Sequence, residues 1–105
     1  MAEMREPTFL VLTALATRPL HGWAVRAEVA DLSDGTVQLR PGSLYGILER
    51  LSAEELISEQ GDEVVEGRRR ELFALTPKGR RELREASERY AEMAVVQAEW
   101  NFGSK

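Results

Sequence analysis

Three consecutive arginines, Arg68, Arg69 and Arg70, follow Gly67 and run into the alternating segment Glu71-Leu72-Phe73-Ala74-Leu75. Guanidinium groups crowded at one point are planar, forked donors that match the oxygens of phosphate. Fifteen residues upstream ends a segment of another kind, Arg40-Pro41-Gly42-Ser43-Leu44-Tyr45-Gly46-Ile47-Leu48-Glu49-Arg50-Leu51. Leu44, Ile47, Leu48 and Leu51 recur at helical spacing and make a core stripe. Ser43, Tyr45, Gly46, Glu49 and Arg50 are left outward or at its flanks. A helix with an unburied polar face, followed by a basic-tipped hairpin, is the layout of a winged helix-turn-helix. That layout puts the helix in a DNA major groove and the hairpin tip, the wing, on neighbouring phosphates.

Each residue type then has a role to fill. Ser43, near the helix start, can bond a phosphate or a base edge, and Tyr45 can reach a phosphate or pack on a sugar. Arg50 can bond guanine or, nearer the helix end, a phosphate. Glu49 can accept from cytosine, but pairing with a neighbouring arginine is the preferred reading. Arg40 and Gln38, just ahead of the helix, are placed to touch the DNA backbone. Gly46 costs roughly 1 kcal/mol inside a helix relative to Ala, which suits close approach of another backbone, of protein or DNA. Arg68 and Arg69 suit phosphates or a minor groove, and Arg70, where the strand begins, can instead turn inward. The alternative for all three is a solvated wing. His21 reads as a hydrogen-bonded structural residue in preference to a pH sensor or phosphate contact, and Trp23 as a packed residue with its indole N–H near phosphate.

Composition narrows the functional classes. The chain has 105 residues, enough for one modest core, so oligomerisation is plausible from size alone. It contains no cysteine and one histidine, which leaves no disulfide, no thiolate and no His-based metal cluster; no cofactor is expected. No nucleophile–base pair or phosphate-cradling loop supports an enzyme. The N-terminus has no basic stretch leading into an apolar run, and no segment is apolar enough to span a membrane, so a cytoplasmic protein without a membrane partner is expected. Net charge is −4, but residues 36–81 hold eight basic and eight acidic residues, and the arginine run concentrates positive charge locally. A weak overall positive field implies modest non-specific DNA binding with a shallow salt slope.

The elements that must position these groups follow from pattern. Pro7 to Ala16 predicts a first helix, apolar nearly all round and therefore buried on two sides, with a second subunit the obvious second partner. His21 to Leu32 predicts a second helix with Val25, Val29 and Leu32 on one face, and Ser33-Asp34-Gly35 a turn. Residues 36–40 are an extended lead-in to the third helix. Leu56–Gln60 and Arg70–Leu75 predict two strands around a nine-residue tip, Gly61–Arg69. Thr76-Pro77 caps and starts a last helix reaching about Phe102. The expected fold is mainly α with a small β-hairpin. Residues 1–76 form the winged helix-turn-helix and 77–105 a C-terminal dimerisation helix.

In that last helix Leu83, Ala86, Tyr90, Met93, Gln97 and Trp100 are spaced three and four apart, the a/d seam of a coiled coil. The seam predicts a homodimer arm; the alternative is a stripe folded back on its own domain. Aromatic and Met side chains at crossing arms, Tyr90, Met93 and Trp100 together with Phe9, are also the candidates for sandwiching a planar small molecule.

Pro19-Leu20-His21-Gly22-Trp23, Gly42-Ser43-Leu44-Tyr45, Leu48-Glu49-Arg50-Leu51, Gly67-Arg68-Arg69-Arg70 and Leu75-Thr76-Pro77-Lys78-Gly79 stand in an order and spacing that resembles the short, minimal form of the PadR family of bacterial transcriptional regulators. The resemblance runs from Pro7 to about Met93. It departs from the family at Trp23, where Tyr is usual, at Gly46, where Pro is usual, and at Arg40, where a small polar cap is usual. Glu55 stands where Gly typically closes the third helix, Glu71 where a basic residue is common, and Leu72 where an aromatic is common. The resemblance implies a winged-helix homodimer whose C-terminal helices embrace the partner. It also implies repression, often of the protein's own gene and of transporters or detoxifying enzymes, and release from DNA on binding a small, often aromatic molecule. The expectation is a sequence-specific regulator on double-stranded DNA. The competing reading, which an acidic pI near 5.1 suits, is a winged-helix protein-interaction module.

Overall fold

Proline sets the start of three of the four helices: Pro7 lies in the first turn of α1 (Glu6–Ala14), Pro41 opens α3 (Pro41–Ala53) and Pro77 opens α4 (Pro77–Gly103). Its fixed φ suits the first turn, and its missing N–H is one the helix leaves unpaired anyway. The fourth helix, α2 (Gly22–Leu32), is capped by a side chain instead, the His21 Nδ1 accepting from the Ala24 N–H at 3.3 Å. The computed structural model describes the backbone of residues 4–103 and the side chains as far as Val95. Three strands complete it: β1 (Leu20–His21), β2 (Ile57–Val65) and β3 (Arg68–Leu75), antiparallel in the order β1-β3-β2. The fold is the expected mainly α one with a small sheet.

Val11, Leu12 and Leu15 of α1 and its end, Val25 and Val29 of α2, and Leu44, Leu48 and Leu51 of α3 meet Leu56, Ile57, Phe73 and Leu75 from the sheet in one core. Leu32, expected on the same face as Val25 and Val29, is 45% exposed because α2 runs past the core before the turn at Ser33.

The wing differs from expectation in a specific way. Its tip is not nine residues but two, Glu66 and Gly67, with φ of 51° and 76°. Two successive left-handed residues make the tight turn whose twist matches paired strands, which is why glycine stands at Gly67. Pairing passes from Glu59↔Phe73 to Asp62↔Glu71, so Gln60 and Gly61 together oppose one residue of β3 and form a bulge. Beyond that bulge the hairpin has no core to face, so its strands carry no apolar alternation. Strand β1, pairing Leu20 with Phe73 and His21 with Leu72, is too short to have shown any.

The end of α3 and the start of α4 lock together. Glu55 has φ 62°; the Leu56 N–H bonds the Leu51 carbonyl at 2.9 Å and the Glu55 N–H the Ser52 carbonyl at 3.0 Å. This is a Schellman ending, normally closed by glycine. The Thr76 hydroxyl donates to the Glu55 carbonyl at 2.6 Å and accepts from the Gly79 N–H at 3.0 Å, capping α4, while Lys78 Nζ donates to the Glu54 carbonyl at 3.0 Å. Gly79 lies so close over the Leu56 carbonyl that a Cβ there would overlap it.

Helix α4 corrects the expected arm. Ala86 is fully buried, so it has no surface left for a second subunit, and Leu83 is partly buried against the chain's own core. Tyr90 sits against Phe9 of α1, ring centroids 4.6 Å apart, and its hydroxyl donates to the Met4 carbonyl at 2.9 Å. The second partner of α1 is therefore α4 of the same chain, and residues 77 to 90 pack with the winged domain. Met93 and Val95, beyond them, are 59% and 57% exposed. Gln97 and Trp100 lie outside the described side chains.

Two outcomes follow for stability. Gly79→Ala should cost about 2–3 kcal/mol, because the clash is with backbone that cannot swing away. Glu55→Gly should stabilise by about 1 kcal/mol by removing left-handed strain. Urea unfolding midpoints of both variants against the parent test the two signs.

Candidate nucleic-acid interface

One surface collects the N-terminal half of α3, the start of α2 and the wing. Leu44, Leu48 and Leu51 turn α3 inward, which leaves Gly42, Ser43, Tyr45, Gly46 and Glu49 exposed. Arg40, just before the helix, is also exposed. No atom of the described chain comes within 4 Å of where a Cβ on Gly46 would sit, so its backbone is open to a partner and not to a neighbouring segment. The lead-in to α3 is held by Arg26, whose Nε donates to the Leu39 carbonyl at 2.5 Å.

Tyr45 explains why two of the short motifs belong together. Its hydroxyl would stand 2.7 Å from a Cβ at Gly22, so the ring lies on the bare backbone at the start of α2. That contact holds α2 and α3 at a fixed spacing and leaves Tyr45 48% exposed. Trp23, expected to be packed, is instead 47% exposed, with the Arg26 guanidinium 5.0 Å from its ring centroid. Such stacking is attractive because the ring face is electron-rich. Sequence reading passed over Arg26, although the spacing of three between Trp23 and Arg26 on one helix face was its signal.

His21 is the structural residue expected. With Nδ1 accepting from Ala24, Nε2 faces the Glu63 carboxylate at 3.4 Å and ties the start of α2 to the wing. Arg50 is exposed too, but its guanidinium does not stand with the groups at the start of α3. It reaches away from α3 toward α1, where Nη2 bonds the Thr8 hydroxyl at 2.5 Å, with Glu54 3.9 Å from its Nε. Its place in the C-terminal turn of α3, against α1, is the reason.

On the wing Arg68 and Arg69 are exposed and Arg70 is half-buried, on the face of β3 shared with Leu72 and Ala74 and opposite the core residues Phe73 and Leu75, so it does not turn into the core. Arg68 opposes Val65, Arg69 opposes Val64 and lies 3.9 Å from Asp62, and Arg70 opposes Glu63. The Arg69–Asp62 pair is too exposed to hold the guanidinium tightly. Next to it Glu71 accepts or donates a hydrogen bond with Glu59, and the negative charges of Glu59 and Asp62 raise its pKa above the ordinary glutamate value. This acidic group beside the arginines was not visible in the sequence, because the bulge at Gln60-Gly61 sets which acids meet across the hairpin.

Of the ligand candidates, the structure brings Phe9 and Tyr90 together and leaves Met93 exposed one turn further along α4; Trp100 lies outside the described side chains. Among the described residues no group of His, Asp and Glu side chains could hold a metal ion, and no helix is long and apolar enough to cross a membrane.

A model of the transcriptional regulator PadR-like family matches residues 11–85, from the middle of α1 into α4. The chain belongs to the PadR-like family. The match takes in α2, α3 and the whole wing, and ends before Tyr90 and Met93. The family is one of transcriptional regulators, which sets aside an enzyme. An uncharacterized 37.1 kDa protein in transposon TN4556 of Streptomyces fradiae is 48% identical over 71 residues; these are 68% of this chain but only 19% of that protein. The transcriptional regulator Rv3488 of Mycobacterium tuberculosis is 37% identical over 86 residues, 80% of this chain and 75% of that one. Among solved structures, Bacillus subtilis PadR in complex with operator DNA shares the fold, with a TM-score of 0.67 at 18% identity over 77% of this chain and 46% of that chain.

The raised Glu71 pKa has a sign that can be tested. A carboxyl that holds its proton more tightly when folded costs stability while ionised, and that cost disappears as pH falls through its folded pKa toward the ordinary glutamate value. Glu71→Gln should therefore melt higher than the parent near neutral pH, and the gap should close as pH is lowered into the carboxylate range. Thermal melts across that range give the answer.

Proposed function

We propose that this PadR-like protein is a homodimeric, sequence-specific DNA-binding repressor that releases its operator on binding a small, aromatic molecule. The observation that carries the DNA reading is the exposed surface made by Arg40, Ser43, Tyr45 and Gly46 beside the exposed Arg68 and Arg69 of the wing. Ser43 and the Gly46 backbone face base edges and sugars in the major groove. Arg40, Arg68 and Arg69 grip phosphates, with Arg70 reaching the groove from the base of the wing. Arg50, bonded to Thr8 and more than half exposed, braces the end of the recognition helix and keeps donors free for a phosphate at its margin.

The dimer forms through α4 beyond Tyr90, where Met93 and Val95 stand exposed on a helix of 27 residues. Paired winged domains then meet an inverted repeat with half-sites about 34 Å apart. The effector sits where Phe9, Tyr90 and Met93 approach the partner. That places it beside α1, and Arg50 links α1 to the recognition helix. Repression and ligand release rest on family membership, and a cytoplasmic location follows from the DNA target. The wing's acids and the net charge of −4 favour a second reading, a docking module that binds protein in place of DNA.

Selection of random duplex DNA on the purified protein separates the two. Recovery of an inverted repeat supports the regulator; no enrichment with an intact dimer by sedimentation supports the docking module. On the recovered site, Arg68→Ala with Arg69→Ala removes two phosphate contacts from each protomer of the dimer, and should weaken binding alike across sequences and lower the slope of log affinity against log salt by about 4. An unchanged slope in a folded dimer would remove the wing from the interface.

A further inference from the structure

The start of α2 and the start of α3 enclose a small notch of about 40 Å³, lined by Trp23, Arg26, Pro41, Leu44 and Tyr45. We propose that this notch takes the 5-methyl group of one thymine in the operator, making Trp23 a specificity-determining residue. The inference rests on the DNA reading above and deepens it.

Size is the first argument. One water needs about 10–15 Å³ by the same measure, so the notch takes a group of a few heavy atoms at most, such as a methyl and the ring edge that bears it. Its walls are the second. Pro41 and Leu44 are aliphatic, and Trp23 and Tyr45 present aromatic surface. Both aromatics stay about half exposed although neither is needed to complete the core. A methyl group is the one apolar feature that base pairs display in the major groove, and it belongs to thymine.

Position is the third argument. Pro41 is the first residue of α3 and Tyr45 lies one turn on, so the notch opens beside the N-terminal half of the recognition helix. That is the part of a helix-turn-helix which meets base edges. Charge is the fourth. Arg26 forms one wall, with its Nε held by the Leu39 carbonyl and its plane against Trp23, and Arg40 precedes Pro41. The Arg26 guanidinium in the wall, with a second arginine on the residue before Pro41, favours a polyanion over an apolar peptide. The notch is also rigid: Tyr45 rests on the Gly22 backbone, and Arg26 pins the strand of chain that leads into Pro41.

The test uses the full chain and the duplex it selects. Each thymine of that site is replaced in turn by deoxyuridine, which removes the methyl and keeps every hydrogen-bonding atom. Affinity is read by fluorescence anisotropy. One position in each half-site should lose about fourfold on replacement, the value of one buried methyl group. Trp23→Ala, at an exposed position that leaves folding intact, should bind thymine and deoxyuridine sites equally at that position. A site indifferent to every replacement would overturn the notch and leave the DNA reading standing. A methyl effect that persists in full in Trp23→Ala would also overturn it. If no duplex is selected at all, the DNA reading fails and the notch's role with it.

Discussion

The recognition helix is held at its far end by a backbone crossing. Where α3 stops, four groups converge: the left-handed Glu55, the carbonyls of Glu54, Glu55 and Leu56, the Thr76 hydroxyl and the bare backbone of Gly79. The chain leaves this point twice, once into β2 and once into α4. A single small region thus fixes the angle of the helix, the root of the wing and the direction of the C-terminal helix. Its parts are mutually dependent. Without the Schellman ending, Leu56 would not present its carbonyl outward, and without glycine at position 79 α4 could not pass over it. Thr76 serves both helices, closing one and capping the other. The exposed groups at the opposite end of α3 inherit their positions from this junction, with Tyr45 on Gly22 as the second fixed point.

Much of this was legible in the sequence, and the limits were physical ones. Pro41 and the stripe Leu44, Ile47, Leu48 and Leu51 define α3 because period and start signal agree. Leu75-Thr76-Pro77-Lys78-Gly79 could be recognised as a motif, but only the crossing explains each member: the buried Leu, the cap, the helix start, the carbonyl donor and the residue without a side chain. The seam in α4 was read correctly as a stripe and wrongly as one surface. Periodicity says which side chains share a face and nothing about what covers it, so Ala86 is buried within its own chain and Tyr90 packs on Phe9 of α1 while keeping part of its surface open. Arg50 turns aside for a related reason. A flank position near a helix end can turn either way, and the hydroxyl of Thr8, 42 residues away in sequence, decides it. The wing beyond the bulge packs on no core, so it offered no pattern to read, only its arginines and its turn glycine.

The surface proposed to meet DNA is weakly electropositive. Arg68, Arg69 and Arg70 share the hairpin with Glu59, Asp62, Glu63, Glu66 and Glu71, and the recognition helix exposes Glu49. Acids interleaved with arginines lower the gain from phosphate contact that is the same at every sequence, while leaving contacts to base edges intact. Discrimination then rests on fit more than on charge. A shallow notch between aromatic rings, a glycine open to close approach and a wing with a two-residue tip are features of that kind.

The left-handed residues have a consequence for the protein's lifetime. Glu55 and Glu66 hold positive φ without being glycine, each at about 1 kcal/mol, so the unfolded population stands roughly thirtyfold above that of a chain with glycine at both places. Proteases act on the opened chain, and where opening and closing are fast, degradation follows that population. Two glutamates at turns therefore enlarge the opened population on which proteases act in that regime.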